Sequence, residues 1–271
     1  MGIGLLTAQP CPYVRYVLFD ACGAGTSEGN NEHLLLYTPV DLNVNAIAVS
    51  FPVVPNGTGL DNDSPTQWVC YGCATQWTDN ATIVSNLNSS ACSGTTFQYA
   101  PAGTTIPAGS YVLIFAGSSV DYTPSAGNLC GAGTVYVLFS QNTNGQGRYT
   151  NTPSTTQNRR TRIAFNSMPA CSMTFNYRGN FTAADGNYFL IDPAVCVGRT
   201  EGSNNVIPSA SACYYGGGGS NGMTLGNSSG CALPSIGVLP VVWVEVRVEG
   251  RALRWQVEGL SEREQVVLEG K

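Results

Sequence analysis

Charge is scarce in this chain of 271 residues: Asp, Glu, Lys and Arg together make up 11% of it, less than half the usual share. Lysine occurs once, as Lys271, and histidine once, as His33. The net charge is −5, and Arg159, Arg160 and Arg162 form the only basic cluster before the C-terminal segment. That balance excludes nucleic acid as the main partner, because phosphate contacts need clustered Lys and Arg. Long helix-compatible runs of Ala, Leu, Glu and Lys are missing, which argues against a helical architecture. No apolar run reaches the roughly 20 residues needed for a transmembrane helix. A Ser–His–Asp or Cys–His site would have to use His33. That residue sits in the apolar run His33-Leu34-Leu35-Leu36-Tyr37 beside Glu32, with no G-x-S-x-G pattern near it.

What the chain has instead is glycine, 32 of them, with recurrent Asn, Ser and Thr and a hydrophobic content of 43%. This suits a β-domain with a real core and many turns, since these residues supply positive φ or local side-chain hydrogen bonds. It also has ten cysteines: Cys11, Cys22, Cys70, Cys73, Cys92, Cys130, Cys171, Cys196, Cys213 and Cys231. An even number at irregular spacing in a chain so poor in lysine reads as disulfides made in an oxidising compartment, so a secreted or cell-surface location is expected. Spacing does not give the connectivity; near-neighbour pairings such as Cys213 with Cys231 or Cys171 with Cys196 are the simplest guesses. Cys70-x-x-Cys73 has the spacing of a redox pair or half a zinc site. No helix follows it, as a thioredoxin-like motif requires, and no second close pair exists, as zinc usually requires. A structural disulfide role is therefore expected for it.

Along the chain, residues 1–12 read as the remnant of a secretion signal or as an N-terminal arm. Tyr13 to Leu42 reads as two strands joined by a polar turn, with Val14, Tyr16 and Leu18 alternating against Arg15, Val17 and Phe19. Asn45 to Pro52 is a further strand with Ile47, Val49 and Phe51 on one face; residues 53–66 are a loop, and 81–87 a short apolar run. Continuous apolarity from Tyr111 to Phe115 predicts a strand buried on both faces, with Thr134 to Ser140 as its neighbour. Asn144-Gly145 and Asp185-Gly186 are hairpin signals, the latter between strands at 171–178 and 187–192. Near Ile236 the composition changes: residues 236–271 hold 11 of the 29 charged residues and no cysteine. Val242 to Glu249 and Ala252 to Val257 alternate about Gly250, which predicts a hairpin. The expected division is thus a β-domain over 13–235 and the start of a truncated second β-module over 236–271.

Two motifs carry a resemblance. Asn31-Glu32-His33-Leu34-Leu35-Leu36-Tyr37-Thr38-Pro39-Val40-Asp41-Leu42 is similar to the "NE…ELYN…VDL" segment of lamin-tail domains, with Leu35 where the family has an acidic residue. Residues 102–113, AGTTIPAGSYVL, resemble their "AGTTIPAGGYLVL" segment. The opening FDACGAGTSEGNNE resembles the start of surface proteins of bacteria with type IX secretion, and residues 239–271 resemble the opening of a fibronectin-type-III-like module. The resemblance implies an immunoglobulin-like β-sandwich with long disulfide-bearing loops. It implies adhesion, display or scaffolding at the cell surface, a downstream domain of the same polypeptide, and no catalytic residues.

Two oxygen-rich clusters have calcium-like chemistry: Asp61 with Asp63, and Asp20 with Glu28 and Glu32. Neither has EF-hand spacing, and no other cofactor is expected. Trp68, Tyr71 and Trp77 are the aromatics most suited to a platform for sugar rings, against a reading in which they pack around disulfides. The expectation is a non-catalytic module whose partner is a surface protein or a glycan. The alternative is the accessory or divergent catalytic part of a secreted carbohydrate-active hydrolase, which would need two carboxylates about 5–10 Å apart in a cleft.

Overall fold

The computed structural model describes residues 10–23, 28–50, 77–141, 149, 154–179, 184–197, 213–216, 220–235, 243–249 and 252–258. Strands dominate, as the composition predicts. The chain divides into two compact units, Met1–Pro234 and Ser235–Lys271.

In the first unit the opening pair is β1 (Tyr13–Asp20) and β2 (His33–Thr38), antiparallel neighbours as expected. They are separated by a one-turn helix, α1 (Glu28–Asn31). Next come β3 (Leu42–Asn43), β4 (Ile47–Ser50) and β5 (Trp77–Thr78). The apolar run 81–87 is a helix, α2 (Ala81–Ser90), followed by β6 (Thr95–Tyr99), β7 (Thr105–Ile106), β8 (Ser110–Phe115) and β9 (Gly133–Ser140). The remainder is β10 (Ser154–Phe165), β11 (Met173–Gly179), β12 (Asn187–Ile191), the short α3 (Pro193–Cys196), β13 (Cys213–Tyr215), β14 (Ser220–Asn221) and β15 (Met223–Asn227).

These strands build two main sheets. One has eight strands in the order β15-β12-β1-β2-β8-β9-β5, with β6 also paired to β9; the other has five in the order β14-β13-β11-β10-β4. Strands β3 and β7 pair separately. β8 and β9 are neighbours, as the apolar runs predict, but they run parallel, and so do β6 and β9. Parallel strands are buried on both faces, which accounts for the unbroken apolarity of Tyr111 to Phe115.

A single apolar core joins the two sheets. The large sheet contributes Val14, Val17, Phe19, Leu34, Leu36, Val112, Ile114 and Phe189; the small one contributes Val49, Ile163, Phe165, Met173, Phe175 and Tyr177. A slip of register between Val14 and Tyr16 in β1 sets which residues point inward. Simple alternation from Val14 would have put Val17 and Phe19 on the opposite face from it; the bulge places all three in the core. Phe19 stacks on Phe189 at 4.4 Å, and both rings meet Tyr177 of the other sheet at 5.5 and 5.2 Å.

Among the described residues four disulfides pin this arrangement: Cys11–Cys171, Cys22–Cys231, Cys92–Cys130 and Cys196–Cys213. The near-neighbour guesses Cys213–Cys231 and Cys171–Cys196 are therefore wrong. Folding sets β12 between β1 and β15, and the segment after β1 at Cys22 meets Cys231, after β15, at a sequence separation of 209. Cys70 and Cys73 lie outside the described residues.

The Asp185-Gly186 turn does not close a hairpin either. β11 and β12 belong to different sheets, and Gly186 docks the connection onto the end of β1, donating its N–H to the Asp20 carbonyl at 2.6 Å. Its φ of 93° and a Ser228 carbonyl oxygen 2.1 Å from where a Cβ would stand both require glycine.

In the second unit, β16 (Trp243–Glu249) and β17 (Ala252–Glu258) form the antiparallel hairpin that the alternating valines predict. The Asn144-Gly145 signal lies outside the described residues.

Candidate functional site

The large sheet has a second face, turned away from the shared core. Cross-strand register builds it in rows. Leu18, His33, Phe115 and Phe139 form one row; Tyr16, Leu35, Leu113 and Val137 form the next. The third row is Tyr13, Tyr37 and Tyr111, on three adjacent strands.

The tyrosine row is the most ligand-like feature of this face. Ring centroids are 5.3 Å apart for Tyr13–Tyr37 and 5.1 Å for Tyr37–Tyr111, close to the spacing of the strands that carry them. The planes are tilted by 44° and 60°, so the rings present edges as well as faces. Tyr37 is buried between its neighbours, while Tyr13 and Tyr111 are half-buried at the ends of the row. The Arg15 guanidinium stands 5.9 Å from the Tyr13 ring, in cation–π range. Burial, then the neighbouring phenols, holds the Tyr37 hydroxyl above its ordinary pKa, with Arg15 pulling the other way. Tyr111 is raised by burial, again opposed by Arg15. The Tyr37 and Tyr111 hydroxyls therefore stay protonated donors near neutral pH. The row offers C–H-stacking surfaces with hydroxyl donors and one cation, and no nucleophile or general base.

His33 lies two residues along β2 from Leu35 and four from Tyr37, on the same face. It is 2% exposed, with its ring 5.8 Å from Tyr16 and 5.2 Å from Phe115. Burial lowers its pKa to about 4 against a small opposing contribution from the Asn31 carbonyl. It is neutral at physiological pH and shielded from any substrate outside the fold.

The acidic residues singled out from sequence serve the backbone. Asp20 is buried at the end of β1 and its Oδ2 accepts the Ala184 N–H at 2.7 Å. Glu32 is 1% exposed and its Oε2 accepts the Tyr149 N–H at 2.8 Å. Glu28 starts α1, and its side chain is not among those described. Asp61 and Asp63 lie outside the described residues. Among the described residues no three His, Cys, Asp or Glu side chains gather into a group that could hold a metal. Asn31, next to Glu32 in sequence, is buried as well. Its Nδ2 donates to the Cys22 carbonyl and the Asp121 carboxylate, while its Oδ1 accepts the N–H of Asp121 and Tyr122. That residue ties the end of β1 to the segment after β8.

The sugar platform expected at Trp68, Tyr71 and Trp77 is corrected for Trp77. That side chain is 5% exposed and belongs to the shared core, because β5 pairs with the end of β9. Trp68 and Tyr71 lie outside the described residues. The tyrosine row was missed because its members are 13, 37 and 111 in sequence. Only the pairing of β1, β2 and β8 brings them together. Tyrosine near the end of each of those strands was the available signal. No family model, curated protein or solved structure matches this chain.

Proposed function

We propose that this protein is an exported, cell-surface β-sandwich module of immunoglobulin-like, lamin-tail-like type that binds glycan without catalysing a reaction. The tyrosine row Tyr13–Tyr37–Tyr111 with Arg15 carries the reading. Rings at strand spacing with hydroxyl donors fit the alternating C–H faces and hydroxyls of a sugar chain, and Arg15 adds a donor for an oxygen-rich or acidic substituent. Disulfides and an apolar core hold the row on paired strands rather than on loops, which lowers the ordering cost of binding. The lamin-tail relation draws support from the two motif segments: β2 pairs with β8, and β3 with β7.

The test is a glycan array followed by calorimetry on the intact oxidised chain and on Tyr111→Ala and Tyr13→Ala. Binding should fall at least about tenfold in each variant, with the melting temperature moved by only a few degrees. A protein that binds no glycan on the array, or whose binding survives both substitutions, is not using this row.

A further inference from the structure

The far face holds two buried polar atoms that have no hydrogen-bond partner among the described residues: Nε2 of His33 and the hydroxyl of Tyr16. They belong to touching rings, edge to face at 79° with centroids 5.8 Å apart. Tyr16 is fully buried and His33 nearly so. Buried polar groups in folded proteins almost always find a partner, so two adjacent orphans call for one explanation.

The chemistry of the pair supplies it. His33 Nδ1 lies 2.9 Å from the Asn31 carbonyl oxygen. A carbonyl only accepts, so Nδ1 carries the proton and Nε2 presents a lone pair. Tyr16 has a hydroxyl to donate. The orphans are thus an acceptor and a donor–acceptor, walled by hydrocarbon from Phe115 of β8 and by the Tyr188 ring of β12, 6.3 Å from Tyr16.

We propose that His33 Nε2 and the Tyr16 hydroxyl hold one internal water molecule, which donates to the imidazole and accepts from the phenol. The site fixes the histidine tautomer and makes the pair an acid-sensitive latch on the far face of the large sheet. A single water with two or more polar partners in an otherwise apolar setting is the usual way such groups are satisfied. Protonation at Nε2 would turn the acceptor into a donor, break the water's bond and place a charge against Tyr16 and Phe115, neither of which supplies a counter-charge. Among the described residues Tyr16 is the titratable group facing the imidazole from β1, and β8 presents only Phe115; Glu32, next in sequence, is bonded to the Tyr149 N–H. Burial raises the Tyr16 pKa well above its ordinary value, so the phenol supplies no negative charge.

The pH consequence has a definite sign. An unfolded histidine takes up a proton near 6.5, while folded His33 resists it down to about 4. Between those values the unfolded chain binds more protons, so this contribution to stability is complete above pH 6.5 and is lost as pH falls.

Long-range ¹H–¹⁵N correlation at pH 7 on the intact protein reads the tautomer, and water–protein cross-relaxation at His33 reads the water. Expected are a protonated Nδ1, a bare Nε2 and a long-lived water that disappears in Tyr16→Phe. Melting scans from pH 7 to 4 form the second arm. The wild type should lose roughly 10 °C more than His33→Gln over that range. A protonated Nε2, or no long-lived water beside His33, overturns the site; equal pH slopes in the two proteins overturn the latch. If His33→Gln fails to fold, the wild-type histidine titration decides. A midpoint near 4 upholds the latch and one near 6.5 overturns it.

Discussion

The two faces of the eight-stranded sheet share the same strands and are both largely buried, yet they are made differently. Inward of β1 and β2 stand Val14, Val17, Phe19, Leu34 and Leu36, all hydrocarbon and all in the core shared with the second sheet. On the far face the same strands place Tyr13, Tyr16, His33 and Tyr37 among leucines. The inner face needs only volume and shape, because its partner is another apolar sheet. The far face carries every polar ring of the opening strands, and so holds both the ligand-like row and the buried histidine. In this molecule burial sets the fold, while the polarity of what is buried marks where chemistry is available.

Adjacent residues on β12 give the sharpest test of that contrast. Phe189 points inward, fully buried and stacked on Phe19; Leu190 points the other way and is 37% exposed. Phe189→Ala should cost about 3–5 kcal/mol, the usual range for emptying a packed aromatic site. Leu190→Ala should cost less than about 1 kcal/mol. Denaturant midpoints with unchanged slopes would read both. Similar losses at the two positions would mean that the far face is packed as tightly at its β12 margin as the inner one.

Much of this frame was legible in the sequence. β1 with β2, β8 with β9 and the β16–β17 hairpin follow from apolar alternation and from unbroken apolar runs. What escaped has local physical causes. Residues 81–90 hold Thr82, Ile83 and Val84, which favour strands, yet Ile83 and Leu87 lie one helical turn apart. Asn80 caps them, its Oδ1 accepting the Ile83 N–H. A short apolar run does not by itself tell a helix from a strand, and the cap is what selects the helix. Strand direction and cysteine partners depend on where distant segments meet, so neither the parallel β8–β9 pair nor Cys22–Cys231 could be read from spacing. The candidate site suffered most, since the tyrosine row is a property of register across three strands. A one-residue bulge in β1 decides which of its side chains join the row.

The sheet's β6 edge offers the smallest effect and the most local one. Asn88 of α2 plays the part of a neighbouring strand for β6. Its Oδ1 accepts the Phe97 N–H at 2.8 Å and its Nδ2 donates to the Phe97 carbonyl at 2.9 Å. Side-chain amides that pair both backbone groups of one residue occupy the edge that another chain would otherwise extend. Asn88→Ala removes those bonds near the surface and should cost about 1–2 kcal/mol. The nearby Asn86→Ala, whose amide donates to the Thr123 hydroxyl in a solvent-exposed bond, should cost less than about 0.5 kcal/mol. Amide exchange separates this role from a general loss of helix stability. In Asn88→Ala the Phe97 N–H should exchange faster by more than the global destabilisation allows, while Val135 and Val137, paired inside the sheet on β9, follow the global change. If Phe97 and Val137 accelerate together, Asn88 serves the helix rather than the edge, and the far face ends at β6 without a guard.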